Sequence, residues 1–187
     1  MIASYTIDDF LGRYSTIFIV AAEGGRPRQL TSGDYNHSGR LAFTPDSSRI
    51  IFSATRRPDW QLQTRRSDLY AVALADGTIT MLTDRQGPDH APAVSPDGKW
   101  VAYLGYRDTG KSYQIDELSV GRLDKPGDTP RVLAASLDRS VSSPTWSADS
   151  SGLFVKYDDR GITHVGFVSL KKPDQVAPVA TNIGGTT

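Results

Sequence analysis

The stretch Gly105–Ser112 reads GYRDTGKS. Its Gly105, Gly110, Lys111 and Ser112 stand at the G-x-x-x-x-G-K-[ST] spacing. In that chemistry backbone amides of the glycine-rich loop cradle phosphates, the lysine neutralises them and the hydroxyl reaches Mg²⁺. The geometry requires a strand before the loop and a helix after it, so that the helix N-terminus faces the anion. A strand does lead in. The segment that follows, YQIDELSV, continues as a strand, so an ordinary inter-strand loop is the stronger reading and no nucleotide cofactor is called for.

His37 and His90 occupy similar connecting segments, GDYNHSG and GPDHAP, while His164 falls inside an apolar strand. A metal site would need such residues to converge with carboxylates, and their separation gives no sign of it. The longest loop carries Arg56, Arg57, Arg65 and Arg66 around Pro58-Asp59-Trp60. Guanidinium groups beside an aromatic ring suit an acidic partner or a peptide carboxylate. The competing reading is a solvated loop whose Trp60 covers the sheet. His37, His90, Arg56, Arg57, Trp60, Arg65 and Arg66 are therefore the candidate binding residues. Asn36-His37-Ser38 spells a glycosylation sequon, which matters only in a secreted protein. The chain has no cysteine, which excludes disulfides, thiolate metal sites and a cysteine nucleophile. It has no G-x-S-x-G, so no catalytic residue is assigned.

These residues must be positioned by a fold of 187 residues, 38% hydrophobic and 22% charged, the composition of a globular domain. Lys plus Arg equals Asp plus Glu at 21 each. A net charge of zero argues against nucleic acid or an anionic membrane as partner, and leaves little repulsion between copies. The opening MIASYTIDDFLG has neither a basic nor a continuous apolar region, so a cytoplasmic setting is expected, or a periplasmic one if a leader has been removed.

The chain repeats. Thr16–Thr31, TIFIVAAEGGRPRQLT, lies over Asp68–Thr83, DLYAVALADGTITMLT, without a gap at an offset of 52. A second element recurs as FTPDSSRIIF, VSPDGKWVAY and WSADSSGLFV, with its aspartates at Asp46, Asp97 and Asp149. The chemistry is that of a hairpin turn. Pro45 and Pro96 preset φ, the aspartate bonds its own backbone, and Gly98 tolerates positive φ. Serine replaces this glycine at positions 47 and 150, which predicts looser turns or turns of another type there.

Four short strands per unit at this period predict an all-β fold of β-propeller blades, of the WD40-like kind. The blades span about 40–83, 91–134 and 143–181, with a half blade at 15–31 lacking its first two strands. A β-sandwich would not make turn and flanks recur in step. Residues 1–12 read as a short helix, over Ile7–Leu11, or as a disordered lead-in to 13–187. Three and a half blades make an incomplete ring. Of three resolutions, a fragment of a larger propeller, association of two copies, or closure of a four-bladed ring by Ile2–Phe10, the first two together are favoured: a fragment that associates through its open edges. The aromatic residues Phe52, Tyr70, Trp100, Tyr103 and Trp146 fall at repeat positions and predict packing between blades.

Four segments, GGRPRQLT at 24–31, DLYAVALADGTITMLT at 68–83, APAVSPDGKWVAYLGYRDTG at 91–110 and SPTWSADSSGLFV at 143–155, carry a resemblance. They resemble the propeller repeats of the prolyl-oligopeptidase family of serine peptidases, in its acylaminoacyl-peptidase-like and dipeptidyl-peptidase-like members. They are also similar to the repeats of TolB-type proteins. The resemblance implies a scaffold and substrate gate seated on a C-terminal α/β-hydrolase domain, with peptides passing its channel and no catalysis by this chain. The alternative it implies is a freestanding TolB-like protein-interaction module.

Overall fold

The computed structural model describes residues 2–8, 14–181, 183 and 184. They form four antiparallel sheets. The first holds β1 (Ile2–Asp8), β2 (Ser15–Ala21) and β3 (Arg28–Gln29). The second holds β4 (His37–Phe43), β5 (Arg49–Ala54), β6 (Asp68–Ala73) and β7 (Ile79–Met81). The third holds β8 (Asp89–Val94), β9 (Trp100–Gly105), β10 (Glu117–Arg122) and β11 (Arg131–Leu133). The fourth holds β12 (Val141–Trp146), β13 (Gly152–Asp159), β14 (Ile162–Ser169) and β15 (Lys172–Ala180). Every sheet is a meander in chain order, and β4, β8 and β12 pack on one another as the innermost strands. This is the blade arrangement expected of a propeller.

Two expectations change at the N-terminus. The first sheet fills three of the four blade positions, because β1 pairs with β2 from Ile2↔Ala21 to Asp8↔Ser15. The helical reading fails at Ile7 and Asp8, which are strand; Phe10 and Leu11 lie outside the described residues. Ile2, Tyr5, Thr6 and Ile7 favour a pleated backbone, and the edge of β2 offers them a ladder. The innermost position, filled elsewhere by β4, β8 and β12, is vacant in this sheet among the described residues. Among the described residues no extensive packing joins the fourth sheet to the first, so the described blades form an open arc and Ile2–Asp8 does not close a ring.

The sheets stack through both faces, which is why their strands are continuous apolar runs. Successive side chains point to opposite faces. Ile50, Phe52 and Val72 meet Ile17, Ile19 and Leu30 of the first sheet. Ile51, Leu69 and Ala71 meet Val101, Tyr103 and Leu123 of the third. Leu104, Leu118 and Val120 meet Leu153, Val155 and Val168 of the fourth. Each large aliphatic or aromatic side chain so buried contributes about 1.5–3 kcal/mol. Phe52 stacks on Tyr70 at 5.7 Å, and Trp146 donates Nε1–H to the Ala93 carbonyl of the neighbouring blade at 2.9 Å. The fourth sheet ends the stack, leaving Phe154 and Ile162 each 36% exposed.

The three hairpin turns are alike, contrary to the looser turns expected at Ser47 and Ser150. Ser47, Gly98 and Ser150 all have positive φ, at 55°, 71° and 58°. Each donates its N–H to the carbonyl three residues back, at 2.8, 2.9 and 3.0 Å. The reason is the side-chain network of the aspartate. Asp46 accepts from Thr44 Oγ1 at 2.5 Å and from the Ser48 amide at 3.1 Å; Asp97 and Asp149 repeat this with Ser95 and Lys99, and with Ser147 and Ser151. Those bonds hold the turn closed and offset the left-handed strain of a serine. They also hold the Asp46 and Asp149 carboxyls down at about 2.

Candidate functional site

One end of the arc carries the short hairpin turns. The other gathers the segments that enter the innermost strands, 30–36 and 82–88, and the long loops 55–67 and 106–116. All of the candidate binding residues lie at this second end. The third such loop is only Arg160-Gly161, with φ of 51° and 76°, a tight hairpin.

Two of the four arginines of the basic loop are answered by carboxylates on neighbouring segments. Arg57 donates Nε–H to Asp68 Oδ2 at 3.1 Å and also bonds Asp84. Arg66 bonds Asp84 Oδ1 at 2.6 Å, with its Nε 3.7 Å from Asp68 Oδ2. Asp68 is wholly buried, and burial pushes its carboxyl above the ordinary value while Arg57 pulls it back. Arg56 stands apart from these carboxylates, with its guanidinium 4.6 Å from the Tyr35 ring centroid. Arg65 reaches the Lys111 carbonyl at 3.3 Å. Trp60 opens a 3₁₀ turn and meets Tyr14 edge-on at 5.9 Å.

The histidines separate in role. His37 is wholly buried. Its Nδ1–H donates to the Ser15 carbonyl at 2.8 Å, which leaves Nε2 to accept from Arg56. Burial holds it below the ordinary histidine range and Arg56 adds to the effect. His90 is 3.3 Å from Asp116. Both lie within innermost strands rather than connecting segments, and they are not equivalent. His37 pairs with Ala54 as Asp89 pairs with Gly105 and Val141 with Tyr157. The counterpart of His37 is thus Asp89. His164 lies on β14 and stacks on Tyr157 at 5.3 Å. Asn36 of the sequon accepts the Ser15 amide at 3.1 Å. No group of three or more metal-ligating side chains converges among the described residues.

Asp89 is the residue that sequence reasoning passed over. It is wholly buried and accepts from Arg85 Nε at 2.7 Å. Burial pushes its carboxyl up to about 6, against the pull of Arg85. Arg85 also lies 5.8 Å from the Tyr103 ring centroid and 3.7 Å from Glu117. Burial, then the Asp89 charge, raise the Tyr103 hydroxyl well above its ordinary value. An arginine four residues before an aspartate was the signal available in the sequence.

The phosphate-like loop has the wrong chemistry. The Gly110 amide donates to Asp108 Oδ1 at 2.8 Å, so a carboxylate takes a donor a phosphate would need. Chain beyond Ser112 enters β10 with no helix between. Gly105 is glycine for another reason: at φ 153°, a Cβ there would sit 1.9 Å from the Pro88 carbonyl oxygen.

A pocket of about 490 Å³ opens at this end between β4, β8 and the 55–67 loop. Arg40, Trp60, Gln61, Gln63, Arg66 and His90 are among its lining. The structure thus brings Trp60, Arg66 and His90 to one cavity, while Arg56, Arg57 and Arg65 lie outside it.

Among solved structures, TolB from Acinetobacter baumannii matches with a TM-score of 0.74 at 18% identity, over 96% of this chain and 41% of that one. A puromycin-hydrolyzing peptidase of Mycobacterium tuberculosis matches with a TM-score of 0.69 at 16% identity, over 95% of this chain and 29% of that one. At such identities these matches establish the fold alone. Dipeptidyl-peptidase 5 of Porphyromonas gingivalis is 23% identical over 155 residues, 79% of this chain and 22% of that protein. The uncharacterized protein Atu1656 of Agrobacterium fabrum is 26% identical over 147 residues, 77% of this chain and 44% of that protein. The chain therefore spans less than half the length of these two curated relatives. Residues 4–112 match the family model described as the dipeptidyl peptidase IV (DPP IV) N-terminal region. With four stacked sheets of propeller type behind that match, the chain belongs to the DPP IV N-terminal-region family, the propeller portion of prolyl-oligopeptidase-type proteins.

Proposed function

We propose that this chain is the gating propeller portion of a prolyl-oligopeptidase-like serine peptidase, shaping access to a catalytic domain and breaking no bond itself. The observation that carries the reading is the family match over residues 4–112, in a chain without a G-x-S-x-G turn. Peptides are the substrates that pass the mouth, and a C-terminal α/β-hydrolase domain is the partner. The exposed Phe154 and Ile162 on the last sheet and the vacant inner position of the first favour self-association when the arc stands alone. A cytoplasmic setting, or a periplasmic one after loss of a leader, belongs to the same reading.

The natural gene's full product should be labelled by a fluorophosphonate probe and should cleave peptides, while this chain alone does neither. Turnover by this chain that a serine-directed inhibitor blocks overturns the gate reading. Light scattering on a size-exclusion column should find associated species; a compact monomer removes the association. The TM-score of 0.74 to TolB supports a second reading, a freestanding interaction module. A full natural product without a labelled serine favours it.

A further inference from the structure

Each innermost strand is interrupted by a bulge. In β8, Ala91 and Pro92 stand between pairs His90↔Leu104 and Ala93↔Ala102, opposing Tyr103 alone. In β12, Ser143 and Pro144 oppose Val155 in the same way. The first bulge residue is left-handed in both, with φ of 52° at Ala91 and 53° at Ser143. The bulge of β4 is longer: Gly39, Arg40 and Leu41 all oppose Phe52. Gly39 holds the left-handed place at φ 91°, so the extra length brings in an arginine. Bulges re-aim side chains and concentrate beside functional sites.

Arg40 lines the 490 Å³ pocket. It is exposed, and among the described residues no carboxylate lies within ion-pair distance of it. The other guanidinium there, Arg66, is answered by Asp84 and Asp68, and His90 Nε2 lies 3.3 Å from Asp116 Oδ1. Among the described residues no aspartate or glutamate lines the cavity, and its remaining polar lining is amides and hydroxyls. Its volume lies in the range of small-ligand sites.

We propose that this pocket binds the C-terminal carboxylate of a short peptide, with Arg40 gripping the carboxylate and Trp60 bordering the terminal side chain. A guanidinium presents a planar fork that matches a carboxylate in two parallel hydrogen bonds. The amides of Gln61 and Gln63 supply donors and acceptors for a peptide backbone. The choice of a peptide rests on the gating reading above; the preference for an anionic end rests on Arg40.

The test is calorimetric titration of this chain with acetyl-Ala-Ala-Phe as the free acid and as its C-terminal amide. The acid is expected to bind about ten-fold or more tightly than the amide. Arg40→Gln, an exposed change, should abolish that difference, and Trp60→Leu should weaken both peptides. Equal binding of acid and amide, a preference that survives Arg40→Gln, or binding of neither peptide each overturns the proposal. The gating reading is judged separately by the labelled serine. A carboxylate preference in a chain whose full product lacks peptidase activity keeps the site and drops the gate. Peptidase activity with indifference between acid and amide does the reverse.

Discussion

Asp89 sets burial against an ion pair in a way that can be measured. Its carboxyl has an ordinary value of 3.8 and is pushed up to about 6 in the fold, because loss of solvent outweighs Arg85 at 2.7 Å. Folding therefore takes up a proton that the unfolded chain has already released by about pH 5. The resulting stabilisation is complete below about pH 4 and is lost as pH rises through 6. The step from 3.8 to about 6 is worth about 3 kcal/mol, a large part of a typical domain's 5–15 kcal/mol. The side chain is wholly buried, so solvent screening does not reduce it. His37 works in the opposite sense. Burial lowers its value, so stability is lost as pH falls below about 6.5, and the two trends overlap in the native protein. Asp89→Asn removes one and keeps the other. Urea denaturation of both proteins at pH 4, 5, 6 and 7 gives the difference curve. Whatever its offset at pH 4, the variant should gain about 2 kcal/mol relative to the native protein by pH 7. A flat difference would refute the reasoning. A difference of the opposite slope would show that Arg85, rather than desolvation, governs the site.

Further outcomes follow from local geometry. Gly105→Ala forces a Cβ to 1.9 Å from the Pro88 carbonyl oxygen at φ 153°; urea titration should show a loss beyond about 3 kcal/mol. Asp68→Ala leaves Arg57 and Arg66 without their buried acceptor and should cost about 3 kcal/mol, the low end for a buried pair because water reaches both guanidiniums. Ser47→Gly and Ser150→Gly relieve left-handed serines and should stabilise by up to about 1 kcal/mol each, whereas Asp46→Ala should lower the melting temperature by opening the turn. ATP with Mg²⁺ should leave the melting temperature unchanged, since Asp108 already holds the Gly110 amide; a rise of several degrees would restore a nucleotide site.

The blades were legible in the sequence because stacking sheets demand the same residues at each turn. Phe52 and Tyr103 recur because each must fill an inter-blade space, and the Asp of each hairpin recurs because it ties its own backbone. What escaped sequence reading were features set by register. Aligning repeats on the turn aspartates pairs His37 with Pro88, since the bulge of β4 holds one more residue than that of β8. Matching GDYNHSG with GPDHAP by their histidines hid the equivalence of His37 and Asp89 and left both histidines in connecting segments. The serine turns were read by residue type alone, so the side-chain bonds that hold Ser47 and Ser150 in place went unseen. The basic loop looked like a free cationic surface because Asp68 and Asp84, which cancel it, lie on other segments.

The places where the blades depart from one another are then the informative ones. At the first residue of the innermost strand the chain uses His37, Asp89 and Val141, each nearly or wholly buried. A purely structural position would settle on one solution, as the hairpin aspartate does. Here the apolar choice sits in the fourth sheet, where the loop between the second and third strands shrinks to Arg160-Gly161. The two titratable choices sit under the long loops 55–67 and 106–116, each held by an arginine, Arg56 or Arg85. The inserted Arg40 belongs to the first of these same two strands, and its pocket lies between them. Charge, loop length and bulge length therefore vary together at one end of two adjacent blades, while the hairpin end remains constant. That covariation within a single chain separates what the stack needs from what is free to vary at the other end.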